Sequence, residues 1–245
     1  MAPVLLITRP QPDADRTAAH LRALDIDCAI APMLEAKPSG TALPALDAMV
    51  ATAATSANAI RFLSEQPGFE ILRGRPLYTV GDQTAREAEL AGFTNVHSAG
   101  GTLHDLAHLI AANKPPGPVF YPAAHHQSGD LAGLLSTSGI PVETHVLYEM
   151  VAVSAFPPAA LKRLMDGEIA GALFYSRRTA VVFARLCEGR DFAPVRTRLE
   201  ALCISESCAE PLVESHFLRI SLADEPNGEA METLALAFAR EQIRP

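Results

Sequence analysis

The sequence predicts an α/β protein built on parallel sheets, and three observations carry the prediction. Short apolar, β-branched runs alternate with segments of helical period from end to end. Most of the runs are continuously apolar rather than alternating, as strands covered on both faces are. Strand–helix–strand units also recur at offsets close to half the chain length.

The elements follow in order. Met1–Ile7 is apolar, with no basic residues before it and no small-residue cleavage site after it. It reads as a first strand rather than a signal peptide. The expected strands are Val4–Thr8, Cys28–Ala31, Met49–Ala53, Leu77–Val80 and Asn95–His97, then Val119–Tyr121, Val142–Val146, Gly171–Tyr175, Ala201–Ile204 and Phe217–Ser221. Thr102 is an N-cap for a helix whose apolar stripe runs through Leu103, Leu106, Leu109 and Ile110. Leu131, Leu134 and Leu135 form a second stripe, closed by Gly139. Val181, Val182, Phe183 and Leu186 form a third.

The internal repeat organises these elements. Val4–Pro10, its helix and Leu24–Asp27 have the shape of Pro118–Pro122, its helix and Gly139–Val142. Ala54–Phe62 echoes Tyr175–Phe183, and Thr79–Ala85 echoes Cys203–Ala209. The repeat implies two similar lobes of about five strands each. A simple tandem would break near residue 117. Alternatively the chain starts one lobe, builds the other and returns, with Met33–Pro38 and Leu147–Ala152 as the extended crossings. Periodicity leaves both open.

Composition narrows the function. Of 245 residues, 49% are hydrophobic and 20% charged, which supports a real core and excludes global disorder. No apolar run approaches the ~18 residues of a membrane span. Twenty-eight acidic against twenty basic side chains give a net charge of −8, a poor field for nucleic acid or an anionic membrane. Four cysteines without a CxxC pair make no disulfide framework, so a reduced, cytoplasmic compartment is expected.

Several motifs together resemble one known family, uroporphyrinogen-III synthase. Leu6-Ile7-Thr8-Arg9-Pro10 resembles its amino-terminal strand and loop, Thr55-Ser56-Ala57-Asn58-Ala59 its threonine–serine loop, and Tyr78–Ala85 its strand–Gly–Thr turn. Val146-Leu147-Tyr148-Glu149 is similar to its crossing strand with a functional tyrosine, and Phe174-Tyr175-Ser176 to its second serine loop. The resemblance runs from Val4 to about Phe238. It implies two flavodoxin-like lobes, each a five-stranded parallel sheet flanked by helices: residues 1–33 with 154–245, and residues 40–146, joined by crossing strands at 34–39 and 147–153. It implies that hydroxymethylbilane binds in the cleft between the lobes and is cyclised to uroporphyrinogen III with no cofactor; a monomer with no metal, nucleic-acid or membrane partner is the accompanying expectation.

The residues suit that substrate class. Thr55, Ser56, Gly81, Thr84, Ser176 and Ser207 follow expected strands and open expected helices, where unpaired amides and a partial positive charge favour carboxylates. Plain N-capping is the simpler use of the same hydroxyls. Asn58 lies in the first of these loops. Arg9, Arg177 and Arg178 lie on the same rims, where guanidinium forks fit carboxylates. Tyr148 is the expected catalytic residue, its phenol hydrogen-bonding the departing hydroxyl. Ser205 and Glu206 depart from the family's strand–Gly–Thr turn, as does the His125-His126 loop from a more basic one. They keep open a rival reading, a non-catalytic two-lobe module that binds an anionic metabolite. His104 and His108 stand at i and i+4 but lie on the polar side of a Leu/Ile stripe and read as a solvated face rather than a zinc helix. Cys203 and Cys208 read as small core residues.

Overall fold

The computed structural model describes residues 3–127 and 129–243. Met1 and Ala2 of the expected first run, and the last two residues of the expected discontinuous lobe, lie outside the described residues. The chain runs β1 (Val4–Ile7), α1 (Asp13–Ala23), β2 (Asp27–Ile30), β3 (Leu34–Pro38), β4 (Ala51–Ala54), α2 (Ala57–Ser64), a 3-10 turn at Phe69–Leu72, β5 (Leu77–Thr79), α3 (Asp82–Leu90), β6 (Val96–Ser98) and α4 (Leu103–Asn113). It continues through β7 (Val119–Ala124), α5 (Leu131–Ser136), β8 (Val142–Ala152), α6 (Pro158–Met165), β9 (Ile169–Phe174), α7 (Arg177–Leu186), α8 (Ala193–Arg198), β10 (Glu200–Cys203), α9 (Glu206–Glu214), β11 (Arg219–Leu222) and α10 (Gly228–Ile243).

These elements form two compact units, residues 1–35 with 151–245, and residues 36–150. The first holds a five-stranded sheet in the order β11-β10-β9-β1-β2. β1 pairs in parallel with both β2 and β9, so the two ends of the chain build one sheet. On one face Leu5, Ile7, Leu173 and Leu202 pack with Leu21, Met231 and Phe238. Elsewhere Phe183 meets Phe156 and Phe174 in edge contacts at 5.4 and 5.0 Å. Gly171 is a glycine for packing reasons. A Cβ there would fall 2.9 Å from a Phe238 ring carbon and 3.0 Å from Leu5 Cδ2.

The second unit's sheet has the order β3-β8-β7-β4-β5-β6. Without β3 its order repeats the first sheet, with β7 in the place of β1 and β4 in the place of β9. The expectation of five strands is corrected to six here. No Gly or Pro interrupts Val142–Ala152, so β8 runs on well past Val146 and offers an edge on which β3 pairs. β7 likewise continues beyond Tyr121, through Pro122, and the ladder explains why. The Val119 N–H reaches the Pro141 carbonyl, so odd-numbered amides face β8 and the Pro122 nitrogen faces β4. Pairing with β4 ends at Phe120, where the absent Pro122 N–H would have carried it on, and β7 stays in the sheet through its ladder with β8.

Helix ends follow local chemistry. Thr102 and Asp105 form a capping box on α4, and Asp130 caps α5 through the Gly133 amide. Beyond α5, Gly139 holds φ +69, the left-handed region that favours glycine. One residue leaves its expected face: Val181 is exposed on α7, while Val182 and Phe183 are buried.

Candidate functional site

In the second unit Thr55, Ser56 and Asn58 follow β4, Gly81 and Thr84 follow β5, and Tyr148 lies within β8. Ala54 is buried and the four residues after it are half-buried, so the loop from Thr55 to Asn58 surfaces where the strand ends. Ser56 is extended (φ −150, ψ 140) and caps α2, its hydroxyl accepting from the Asn58 amide at 3.2 Å. Thr55 Oγ1 lies 3.1 Å from the Tyr121 phenol oxygen. The Asn58 side-chain oxygen Oδ1 accepts from Arg61 Nη1 at 2.8 Å. Arg61 in turn forks onto Glu87 of α3, Nε to Oε1 at 2.9 Å and Nη2 to Oε2 at 2.6 Å. Both side chains of that pair are mostly buried, at 21% and 15% exposure.

Tyr148 is buried on β8. Its ring stacks on Phe62 at 5.1 Å, and its hydroxyl lies on the side of Ser56 and Arg61. Burial pushes the phenol above its ordinary pKa, against the pull of Ser56 and Arg61. Gly81 caps α3 in extended conformation (φ −148), and a Cβ there would meet nothing within 4 Å. The fold itself does not demand this glycine, and the space beside it is open. Thr84 sits buried in the first turn of α3, its amide donating to the Gly81 carbonyl at 3.1 Å.

In the first unit, the Arg9 guanidinium lies 4.4 Å from the centre of the Tyr175 ring, donates to Thr17 at 3.3 Å and pairs with Asp13 at 3.1 Å. Ser176 caps α7, accepting from the Thr179 amide at 3.3 Å. Arg177 is exposed and pairs with Glu210 at 3.4 Å. Ser207 is exposed, 3.2 Å from the Ser205 hydroxyl. Thus in the second unit Thr55 meets Tyr121, Ser56 caps the helix that Asn58 enters, and Tyr148 stacks on Phe62 of the same helix. Arg9 lies beside Tyr175, and Ser176 opens the next helix, in the first.

A family model described as uroporphyrinogen-III synthase HemD matches residues 15–232. The chain belongs to this family. Its fold is also that of a uroporphyrinogen-III synthetase from Helicobacter pylori, with TM-score 0.65 and 18% identity over 97% of this chain and 100% of that one. A mutant uroporphyrinogen III synthase from the extremely thermophilic bacterium Thermus thermophilus superposes with TM-score 0.50 at 17% identity, over 98% and 100% of the two chains. No curated protein matches the chain. The family makes it an enzyme of tetrapyrrole biosynthesis.

Three residues of this uroporphyrinogen-III synthase family member escaped the sequence reading: Tyr121, Arg61 and Glu87. A tyrosine near the carboxyl end of an apolar strand is a signal for the first. Arg61 and Glu87, 26 residues apart, carry none. His104 and His108 are exposed, and no cluster of metal-binding side chains occurs among the described residues. Cys203 and Cys208 are buried, the Cys208 thiol donating to the Phe174 carbonyl at 3.4 Å. Burial pushes Cys28 up to about 11 and Cys187 up to about 12, so neither is a ready nucleophile. No helix among the described residues is long and apolar enough to cross a membrane.

Burial raises the pKa of all four tyrosines, Tyr78, Tyr121, Tyr148 and Tyr175, above the ordinary 10.0. A folded pKa above the unfolded one contributes stability that is complete below about pH 10 and lost as pH rises through the folded values. Tyrosinate absorbance is therefore expected to stay flat to about pH 10 and then to rise together with loss of far-ultraviolet ellipticity. Ionisation of the four phenols well before unfolding would contradict their burial.

Proposed function

We propose that the chain cyclises hydroxymethylbilane, inverting the last pyrrole ring, to give uroporphyrinogen III. In this reading the hydroxymethyl C–O bond breaks and water leaves. The last ring attacks through its substituted carbon to give a spiro intermediate, which fragments and recloses with that ring inverted. The observation that carries the reading is the hydroxyl cluster of Thr55, Ser56 and Tyr148 at the end of a parallel sheet, in a member of this family.

Tyr148 is the group assigned to the departing hydroxyl. Its raised pKa keeps the proton on the phenol, so it acts as a hydrogen-bond donor to the leaving oxygen rather than as a strong acid. The substrate's carboxylates are assigned to the helix starts at Ser56, Gly81, Ser176 and Ser207, together with Asn58, Thr84, Arg9 and Arg177. Ser56 and Ser176 each satisfy one first-turn amide, and the remaining amides of α2 and α7 are the donors left for an anion. A net charge of −8 makes such local donors necessary, because the bulk field repels a polyanion. The rest of the task is conformational: the uninverted ring closure proceeds unaided, so the protein must hold the chain where the inverted closure is reached first. The reading includes a monomer in the cytoplasm with no nucleic-acid or membrane partner, as the acidic charge supports.

The test is incubation with freshly generated hydroxymethylbilane, then oxidation and separation of the uroporphyrin isomers. The expected product is isomer III, formed faster than the spontaneous closure. Isomer I alone, at the spontaneous rate, would reject the reading and favour the non-catalytic binding module.

A further inference from the structure

In the six-stranded sheet β7 and β4 are neighbours, yet the chain leaves them in opposite directions. β7 continues through α5 to β8 on one side, and β4 leads through α2 to β5 on the other. The carboxyl ends of this pair are the switch point of the sheet, where ligands of such folds bind. Across it the hydroxyls of Thr55, after β4, and Tyr121, on β7, lie 3.1 Å apart. We propose that Tyr121 is a positioning residue: it holds the Thr55 hydroxyl so that the pair directs one O–H proton at a carboxylate of the substrate. The inference rests on the reading above, and it adds a residue that neither the family resemblance nor the sequence pattern singled out.

Hydrogen-bond accounting supports it. Two hydroxyls that share one bond have one proton left over. If Thr55 donated to the phenol, the proton left over would belong to Tyr121, which is 3% exposed and has no hydrogen-bond partner other than Thr55 among the described residues. A buried O–H without an acceptor is costly. With the phenol donating instead, the free proton is on Thr55, which is half-buried and opens the loop. Burial keeps the phenol protonated well above neutral pH, so the arrangement persists wherever the substrate's carboxylates are ionised.

The neighbouring residue repeats the pattern. Ser56, half-buried like Thr55, lies beside the Tyr148 phenol of β8. The two rings belong to different core clusters, Tyr121 with Leu106 and Leu131, Tyr148 with Ile60 and Phe120. One loop thus sets each of its hydroxyls beside a separate ring buried in its own core cluster, and a packed support of that kind keeps a fixed direction at the surface.

The experiment compares wild type with Tyr121→Phe, Thr55→Val, Thr55→Ser and the Tyr121→Phe/Thr55→Val double variant. Steady-state kinetics on hydroxymethylbilane are read beside fluorescence titration with uroporphyrin III, the oxidised product. Tyr121→Phe and Thr55→Val are each expected to raise KM and the uroporphyrin Kd by about 3–10-fold, with kcat within ~2-fold of wild type. The double variant is expected to be no worse than Thr55→Val alone, because both changes remove the same donor. Thr55→Ser, which keeps the hydroxyl, is expected to stay within ~2-fold of wild type in both KM and Kd. Unchanged KM and Kd in Tyr121→Phe, or effects that multiply in the double variant, would overturn the proposal. Wild type that binds uroporphyrin III but yields only isomer I would reject the enzyme reading, and the titration alone then decides the role of Tyr121. Wild type that binds no uroporphyrin III would overturn both.

Discussion

Tyr148→Phe is expected to lower kcat by about 10–100-fold while leaving the protein folded. Each tenfold corresponds to ~1.4 kcal/mol of transition-state stabilisation, within what one hydrogen bond to a charged or partly charged group supplies. The effect lies below the usual range for acid–base groups, because a phenol with a raised pKa shares its proton without giving it up. Phe keeps the stacking on Phe62 at 5.1 Å and the place of the ring among Ile60, Leu63 and Phe120. Single-turnover rates with isomer analysis check this. The product is expected to remain isomer III, since ring-closure geometry is set by binding and not by the phenol. A kcat equal to wild type would remove Tyr148 from the mechanism.

The largest effect on stability is expected from Glu87→Ala. Arg61 and Glu87 form a two-bond fork between α2 and α3, with both side chains mostly sheltered from water. Removing the carboxylate leaves the guanidinium desolvated and unpaired, which costs about 2–4 kcal/mol, somewhat less than a fully buried break. Arg61 also holds Asn58, so the loop before α2 loses an anchor and kcat/KM falls with stability. The Arg177–Glu210 pair is the control. It is more than half exposed, and Glu210→Ala is expected to cost under about 0.5 kcal/mol. Denaturant unfolding of the two variants side by side gives the comparison. Equal losses would show that Arg61 is solvated in solution and that the fork is not structural.

The fold was largely legible because its signals are local or repetitive. Thr102 and Asp105 satisfy each other's amides three residues apart, so the start of α4 is written in a four-residue string. The repeat placed β4 and β9, and with them the hydroxyl-bearing loops that follow, in equivalent positions, and Ser56 and Ser176 in those loops cap helices. Where the reading stopped short, a neighbour in space was responsible. The edge of β8 recruited β3 as a sixth strand. β7 runs on through Pro122 because its ladder with β8, a strand later in the chain, continues to Ala124. Val181, apolar by composition, falls on the outer side of α7 because Val182 and Phe183 take the packed face.

The same division runs through the candidate site. By itself the sequence determined the α/β class, the two similar halves, the hydroxyl-bearing loops after the strands and the family resemblance. Period, cap and motif depend on residues within a turn or two of one another. Only the tertiary structure decided what those hydroxyls touch. Thr55 meets Tyr121 across 66 residues, Arg61 meets Glu87 across 26, and Arg9 lies on Tyr175 because β1 is inserted beside β9. The physical reason is that a hydroxyl or guanidinium bonds whatever strand order brings within about 3 Å. Strand order is set by burying whole sheet faces, a sum over many side chains that no single residue records.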